Sequence, residues 1–464
     1  MSSTSDPANL DQIFKAYDVR GLVPDQLDEP LARAVGAAFV HVTAAADGPG
    51  SVVVGHDMRP SSPAMARAFA GGAASAGADV VMIGLASTDQ LYFASGNLGI
   101  PGAMFTASHN PAQYNGIKMC RGYAVPVGME SGLAEIRDRV ASGEVPSPSR
   151  QSPSRQGTIS ESDVLSGYAD HLRSLVPVSG RRLTVVVDAG NGMAGHTAPA
   201  VLDPLDLDVV PMYYELDGTF PNHEANPIEA ENVADLRAKV REVGADIGLA
   251  FDGDADRCFL IDERGEIVGP SVLTALIAAR ELEREPGAAI IHNLITSRAV
   301  PEIVIELGGT PVRTRVGHSY IKATMAESGA IFGGEHSGHF YFRDFWKADS
   351  GMLAALHALA ALAATEQPLS VLLDKYSRFA GSGEINSTVE DQAAVLSELE
   401  DAYTQTDGVE IDHLDGLTAT HQDWWFNVRA SNTEPLLRLN AEGKDTTTMA
   451  KVRDDVLAVI RSRS

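Results

Sequence analysis

The sequence predicts an α/β protein of four domains around a central cleft: three similar α/β units with mixed sheets, then a C-terminal α+β domain with an antiparallel sheet. Three observations lead to this reading. The chain has 464 residues, more than a single core organises. Short apolar runs alternate with helical patterns in three successive stretches, as βαβ units do. From about Ser377 onward the pattern changes to strands joined by short turns.

In the first unit, residues 13–21 read as a short strand with charged flanks, and residues 52–54 as a buried strand running into Gly55-His56-Asp57-Met58-Arg59-Pro60. A small-residue helix (63–76), a strand (80–83), a helix around 89–95 and the apolar run 102–105 follow, giving a mainly parallel sheet. Residues 145–157 contain Ser-Pro-Ser-Arg-Gln twice in tandem and read as an extended linker. The first domain thus covers 1–157. The second, 158–266, has a strand at 183–187 entering Asp188-Ala189-Gly190-Asn191-Gly192, a helix at 233–243 and a strand at 247–251. That glycine-rich turn lacks the lysine of a P-loop and the spacing of a dinucleotide fingerprint, so it reads as structural. The third domain, 267–376, shows a helix (271–282), strands (288–292 and 330–332) and an apolar helix (352–364). The last, 377–464, shows strands at 384–389, 424–428 and 436–440 and helices at 392–403 and 449–461.

The composition, 44% hydrophobic and 21% charged, is that of a soluble globular protein. A net charge of −26 argues against general nucleic-acid binding while leaving room for an anionic small substrate held by a few converging Arg and Lys. Two cysteines, Cys120 and Cys258, indicate no disulfide framework. The polar first twelve residues lack a signal peptide's apolar core, and the longest apolar run is too short to span a bilayer. The expectation is a cytoplasmic protein with no membrane partner.

Four motifs carry chemistry. Thr106-Ala107-Ser108-His109-Asn110-Pro111 leaves a strand for a polar turn, a good place to hold a reactive hydroxyl. Asp252, Asp254 and Asp256 alternate at a strand end; such crowding is costly unless a cation neutralises it, and hard oxygen ligands favour Mg²⁺ or Ca²⁺. An EF-hand would use Glu263 at loop position twelve, but Arg257 stands where that loop needs glycine and strands flank the site. Gly334-Glu335-His336-Ser337-Gly338-His339 can read sugar hydroxyls, with Glu335 as acceptor and Ser337 as either partner; metal binding or plain turn chemistry are the other readings. Arg429-Ala430-Ser431-Asn432-Thr433-Glu434-Pro435, with Arg438 nearby, has the donors to clamp a phosphate dianion, against the plainer reading of a polar hairpin.

These four motifs, in this order and at domain-scale spacing, resemble the phosphoserine, metal, sugar and phosphate loops of the α-D-phosphohexomutase superfamily, over essentially the whole chain. The Glu-His-Ser-Gly-His sugar loop and the run Trp425–Asn432 resemble its bacterial phosphomannomutase and bifunctional phosphomannomutase/phosphoglucomutase branch. One departure stands out: where some relatives carry a lysine near Leu294, this chain reads His292-Asn293-Leu294-Ile295-Thr296. The resemblance implies an isomerase that interconverts mannose 6-phosphate and mannose 1-phosphate through a phosphorylated Ser108 and a hexose 1,6-bisphosphate. It implies one Mg²⁺ per chain on Asp252, Asp254, Asp256 and the seryl phosphate, with Arg20, Lys118 and Arg257 adding positive charge. His339, with His109 second, is the implied general acid/base. Glu335 and Ser337 would read the sugar, and Arg429, Ser431, Asn432, Thr433 and Arg438 would hold the other phosphate. Tyr17 and His318 match further cleft positions. Hexose phosphates are the expected partners, with the chain a monomer or weak dimer. A hinge near 377–383 would close the last domain over substrate. The alternatives are phosphoglucomutase or phosphoglucosamine mutase activity, or a non-catalytic protein that binds a divalent cation or sugar phosphate.

Overall fold

The computed structural model describes residues 6–44, 50–143, 156–430 and 436–462. Most of the expected linker, and Ser431, Asn432 and Thr433 of the expected phosphate loop, lie outside the described residues. The chain forms two compact units: Met1–Gly269 with Ser337–Ser370, and Pro270–His336 with Val371–Ser464.

Among the described residues the first unit holds two whole sheets and the antiparallel strand pair Phe340–Phe342 and Ala348–Asp349. One orders its strands Val19–Leu22, Tyr114–Arg121, Gly102–Phe105, Ser51–His56, Asp79–Leu85 and Ile159–Glu161. The last four are mutually parallel, as alternating apolar runs predict; the pairs Val19–Leu22/Tyr114–Arg121 and Tyr114–Arg121/Gly102–Phe105 are antiparallel. An antiparallel pair can be joined by a short connection, so residues 106–113 project from one sheet end and Lys118 returns opposite Met104. In the core beneath, Phe69 meets Phe105 edge-on and Phe39 at a tilt. The stretch 13–21, expected as a strand, is one only from Val19. Asp6 caps the backbone N–H of Ala8 and Pro7 starts the turn, so the preceding residues form the helix Pro7–Ile13.

The second sheet runs Ile267–Val268, Cys258–Asp262, Ile247–Phe251, Leu183–Asp188 and Leu207–Met212. Here Ile247–Phe251 and Cys258–Asp262 form an antiparallel hairpin whose turn is residues 252–257. The helix Gly351–Ala363 is buried along its whole length. Ser350 caps it by accepting from Leu353 N–H and donates 2.6 Å to Asp89 Oδ2, while Ala363 O accepts from Arg181 N–H at 2.9 Å.

The second unit combines parallel strands Thr310–Thr314, Ala289–Asn293 and Phe332–Gly334 with a five-stranded antiparallel sheet ordered Ala380–Thr388, Leu436–Gly443, Trp424–Ala430, Leu417–His421 and Glu410–Asp412. The strand expected at 330–332 lies two residues later, since pairing with Ala289–Asn293 begins only where Ile331 N–H reaches Ala289 O at 3.1 Å. Leu294 and Ile295 pack on Trp425, whose indole N–H donates 2.8 Å to Glu442. The stretch 267–376, read from sequence as one domain, gives Pro270–His336 to this unit and Ser337–Ser370 to the other. Among the described residues no helix is long and apolar enough to cross a membrane.

Candidate active site

Ser108 sits where the strand Gly102–Phe105 gives way to its loop. Thr106 Oγ1 accepts from Ser108 N–H at 2.9 Å, and the serine takes a left-handed φ of +48°. A non-glycine residue there costs of order 1 kcal/mol or more. In return the hydroxyl is aimed: Oγ donates 2.8 Å to Asp252 Oδ2 and lies 3.1 Å from His109 Nδ1. The 252–257 turn approaches so closely that a Cβ on Gly253 would stand 2.4 Å from Ser108 O, which only glycine permits.

Asp252, Asp254 and Asp256 are buried, each with a carboxylate oxygen within 4.8 Å of the others'. Burial pushes Asp252 up to about 7, with Asp256 and Asp254 adding repulsion and Arg257 opposing. Burial also works to raise Asp254, but Lys118 overrides it and holds that carboxyl below the usual range. Lys118 Nζ bridges Asp254 Oδ2 at 2.7 Å and Asp256 Oδ2 at 2.6 Å; although burial disfavours the ammonium, the two carboxylates keep it firmly charged. Arg257 Nε pairs with Asp252 Oδ2 at 2.9 Å. Thr88, on the first turn of the helix Thr88–Leu98, donates 2.6 Å to Asp254 Oδ2. Among the described residues, Asp254 Oδ1 and Asp256 Oδ1 remain buried without a hydrogen-bond donor. Orphaned carboxylate oxygens in an all-oxygen set fit a hard divalent cation. The flanking elements are strands and Glu263 accepts from Ser370 N–H, so no EF-hand is present here.

His339 Nε2 lies 3.6 Å from Asp256 Oδ1 and its Nδ1 3.0 Å from Ser337 Oγ, while its backbone bridges that of Arg257. Burial, reinforced by Arg257 and Arg20, holds the His109 imidazole neutral. Arg20 donates to Asn110 Oδ1 and, at 3.3 Å, to Ala107 O. Tyr17 lies in the bend before the strand Val19–Leu22.

The remaining predicted residues belong to the second unit. Glu335 is buried, and its Oε1 accepts from Gly317 N–H at 3.1 Å, just before the helix that His318 begins. Burial lowers the His336 imidazole, with Arg429 adding to the effect and Glu384 opposing. Arg429 and Arg438 both pair with Glu384, at 2.9 and 3.1 Å. Sequence reasoning left Thr88, Glu384 and the pair Asp57–Arg59 without a role; only Asp57–Arg59 had a signal, as charged residues at a strand's end.

Four family models match in order: phosphoglucomutase/phosphomannomutase alpha/beta/alpha domain I over residues 11–146, domain II over 166–265, domain III over 270–379 and the C-terminal domain over 384–459. The chain belongs to the phosphoglucomutase/phosphomannomutase family. It is 38% identical over 458 residues to a phosphomannomutase of Escherichia coli, covering 97% of this chain and 99% of that one. It is 36% identical over 451 residues to a phosphomannomutase/phosphoglucomutase of Pseudomonas syringae, covering 96% and 94%. The crystal structure of a phosphoglucomutase/phosphomannomutase family protein from Burkholderia thailandensis superposes with a TM-score of 0.88 at 32% identity, covering 100% of this chain and 98% of that one. As in the family models, three α/β domains precede a C-terminal domain whose sheet is antiparallel throughout.

Proposed function

We propose that this family member is a phosphomannomutase that interconverts mannose 6-phosphate and mannose 1-phosphate, with Ser108 as phosphoryl carrier. The observation that carries the reading is the Ser108 hydroxyl 2.8 Å from Asp252, in a buried carboxylate set with orphaned oxygens. Phosphoryl transfer needs charge neutralisation more than covalent assistance, and Lys118, Arg257 and Arg20 supply cationic groups around the serine loop. Asp252, Asp254 and Asp256 would hold one Mg²⁺, which when bound supplies further positive charge beside the seryl phosphate.

In the forward half-reaction the P–O bond to Ser108 breaks and one forms to the sugar's free hydroxyl, giving a hexose 1,6-bisphosphate. The hydroxyl proton passes to a histidine, and one proton is delivered to the Ser108 oxygen that the phosphoryl group leaves, restoring the seryl hydroxyl. His339, tied to Ser337 and Asp256, is our assignment; neutral His109 is the second. After reorientation the bisphosphate returns its other phosphate to Ser108. Glu335 and Ser337 would read the hydroxyls, with Tyr17 and His318 as further contacts. Arg429, Arg438, Ser431, Asn432 and Thr433 would hold the phosphate not being transferred. A phosphoglucomutase activity is the second reading, favoured by the relative named phosphomannomutase/phosphoglucomutase.

Intact mass tests the carrier: an adduct of about 80 Da, one phosphoryl group, should map to Ser108 and vanish in Ser108→Ala together with mutase activity. Full activity in Ser108→Ala would refute the reading. Assays on mannose, glucose and glucosamine 6-phosphates assign the sugar.

A further inference from the structure

Arg59 is a fully buried arginine that the proposed chemistry leaves unused. It follows the strand Ser51–His56, and its guanidinium points across the unit into the serine loop. Nη2 donates to Ser108 O at 2.9 Å and to Asn110 O at 2.6 Å; Nη1 donates to Pro111 O at 2.9 Å and to Tyr114 O at 3.0 Å. One side chain therefore satisfies four carbonyls along the turn that begins at the left-handed Ser108. Within the loop Tyr114 N–H also reaches Pro111 O at 3.0 Å, and a buried carbonyl without a donor is costly.

The guanidinium is itself fixed. Asp57 pairs with Arg59 Nε at 3.2 Å and accepts from Arg59 N–H at 3.0 Å, and Ser62 donates 2.6 Å to the same carboxylate. The Phe220 ring covers Arg59, its centroid 5.2 Å from Cζ. A Cβ on Gly218 would stand 2.6 Å from Arg59 Cα, so the segment that carries Phe220 lies directly on this residue. Both come from the stretch matched by the second family domain, the one that bears Asp252. Arg59 thus ties the serine loop to one domain and is covered by the other.

We infer that Arg59 is the positioning residue for phosphoryl transfer: held by Asp57 and Phe220, it sets the Ser108 hydroxyl in register with the carboxylates of 252–256. The inference rests on the reading of Ser108 as phosphoryl carrier. Arg59 donates to loop carbonyls and not to Ser108 Oγ, so it acts through the loop backbone. Lysine cannot replace it, because a single ammonium lacks the fork that reaches four carbonyls at once.

The test is steady-state kinetics on the full chain for Arg59→Lys and Arg59→Met, with thermal midpoints and Ser108 phosphate content by intact mass. Mispositioning by about 1 Å can cost 100-fold, so kcat should fall about 100-fold in both variants. KM for the hexose phosphate should stay within about threefold, because the residues that would hold the sugar and distal phosphate are untouched. Folded variants that keep kcat within twofold, or that lose kcat and KM in equal proportion, overturn the inference. If Arg59→Met does not fold, Arg59→Lys, which keeps the buried charge beside Asp57, carries the test. Failure of both to fold makes Arg59 a folding residue and overturns it equally. Wild-type protein without a phosphate adduct on Ser108 would instead refute the underlying function.

Discussion

Glu384 holds Arg429 through Oε2 at 2.9 Å and, with its other oxygen, holds Arg438 at 3.1 Å. The two arginines face each other across the strands Trp424–Ala430 and Leu436–Gly443. Like charges directly opposite on a sheet repel, and one carboxylate between them turns that repulsion into a fixed pair of guanidiniums. Removing the carboxylate charge with Glu384→Gln should splay the pair. KM for hexose phosphate is expected to rise about tenfold, or about 1.4 kcal/mol, with kcat within about twofold. A lower KM in the variant would show that Glu384 competes with the phosphate.

The orphaned Asp254 Oδ1 and Asp256 Oδ1 make cation binding measurable without an activity assay. Binding to the folded state alone stabilises it by about 2.7 kcal/mol at a hundredfold excess over Kd. Chelator-treated protein should therefore melt several degrees lower than protein in millimolar Mg²⁺. Asp254→Asn should abolish the difference. An unchanged melting temperature in both proteins would argue against the site.

Lys118 substitutes for part of that charge, lying 2.7 and 2.6 Å from Asp254 and Asp256. Lys118→Met leaves two buried carboxylates without their ammonium, a loss of about 3–5 kcal/mol for a broken buried pair. The variant should melt lower than wild type, and the gap should narrow as Mg²⁺ is added. Equal gaps with and without cation would separate the lysine from the cation site.

His292 gives a pH signature away from this chemistry. Burial pulls its imidazole down from 6.5 to about 4. The folded state stays neutral where the unfolded chain takes a proton. Stability is therefore complete above about pH 6.5 and is lost as pH falls toward 4, by about 3 kcal/mol. His292→Asn, which can keep the donor to Asn293 O, should flatten that part of the urea-midpoint profile between pH 4 and 7. An identical slope in wild type and variant would remove His292 as its cause.

The sequence made legible whatever is local. The apolar runs of Gly102–Phe105 and Ile247–Phe251 and the amphipathic helix Ala234–Val243 lie within a residue or two of their expected places. Asp252, Asp254 and Asp256 were readable because their crowding is a cost visible in one dimension. Arg59 was not: its four carbonyl acceptors lie 49 to 55 positions away, and an isolated Asp-x-Arg after a strand reads equally well as solvated charge. Thr88 and Glu384 escaped for the same reason, since each gains a role only from a partner 166 or at least 45 residues distant. The grouping of the apolar helix Gly351–Ala363 with the first compact unit is likewise a matter of packing that no local pattern carries.

That helix has a consequence for synthesis. The first 269 residues leave the ribosome before the segment that joins their unit, since Ser337–Ser370 follows Pro270–His336 of the second unit. Asp89 waits for Ser350, and Arg181 N–H waits for Ala363 O. At roughly 5–20 residues per second, the helix that carries these partners follows residue 269 by about 5–20 s. A chain that ends before Ser350 lacks the helix, the donor to Asp89 and the acceptor for Arg181 N–H.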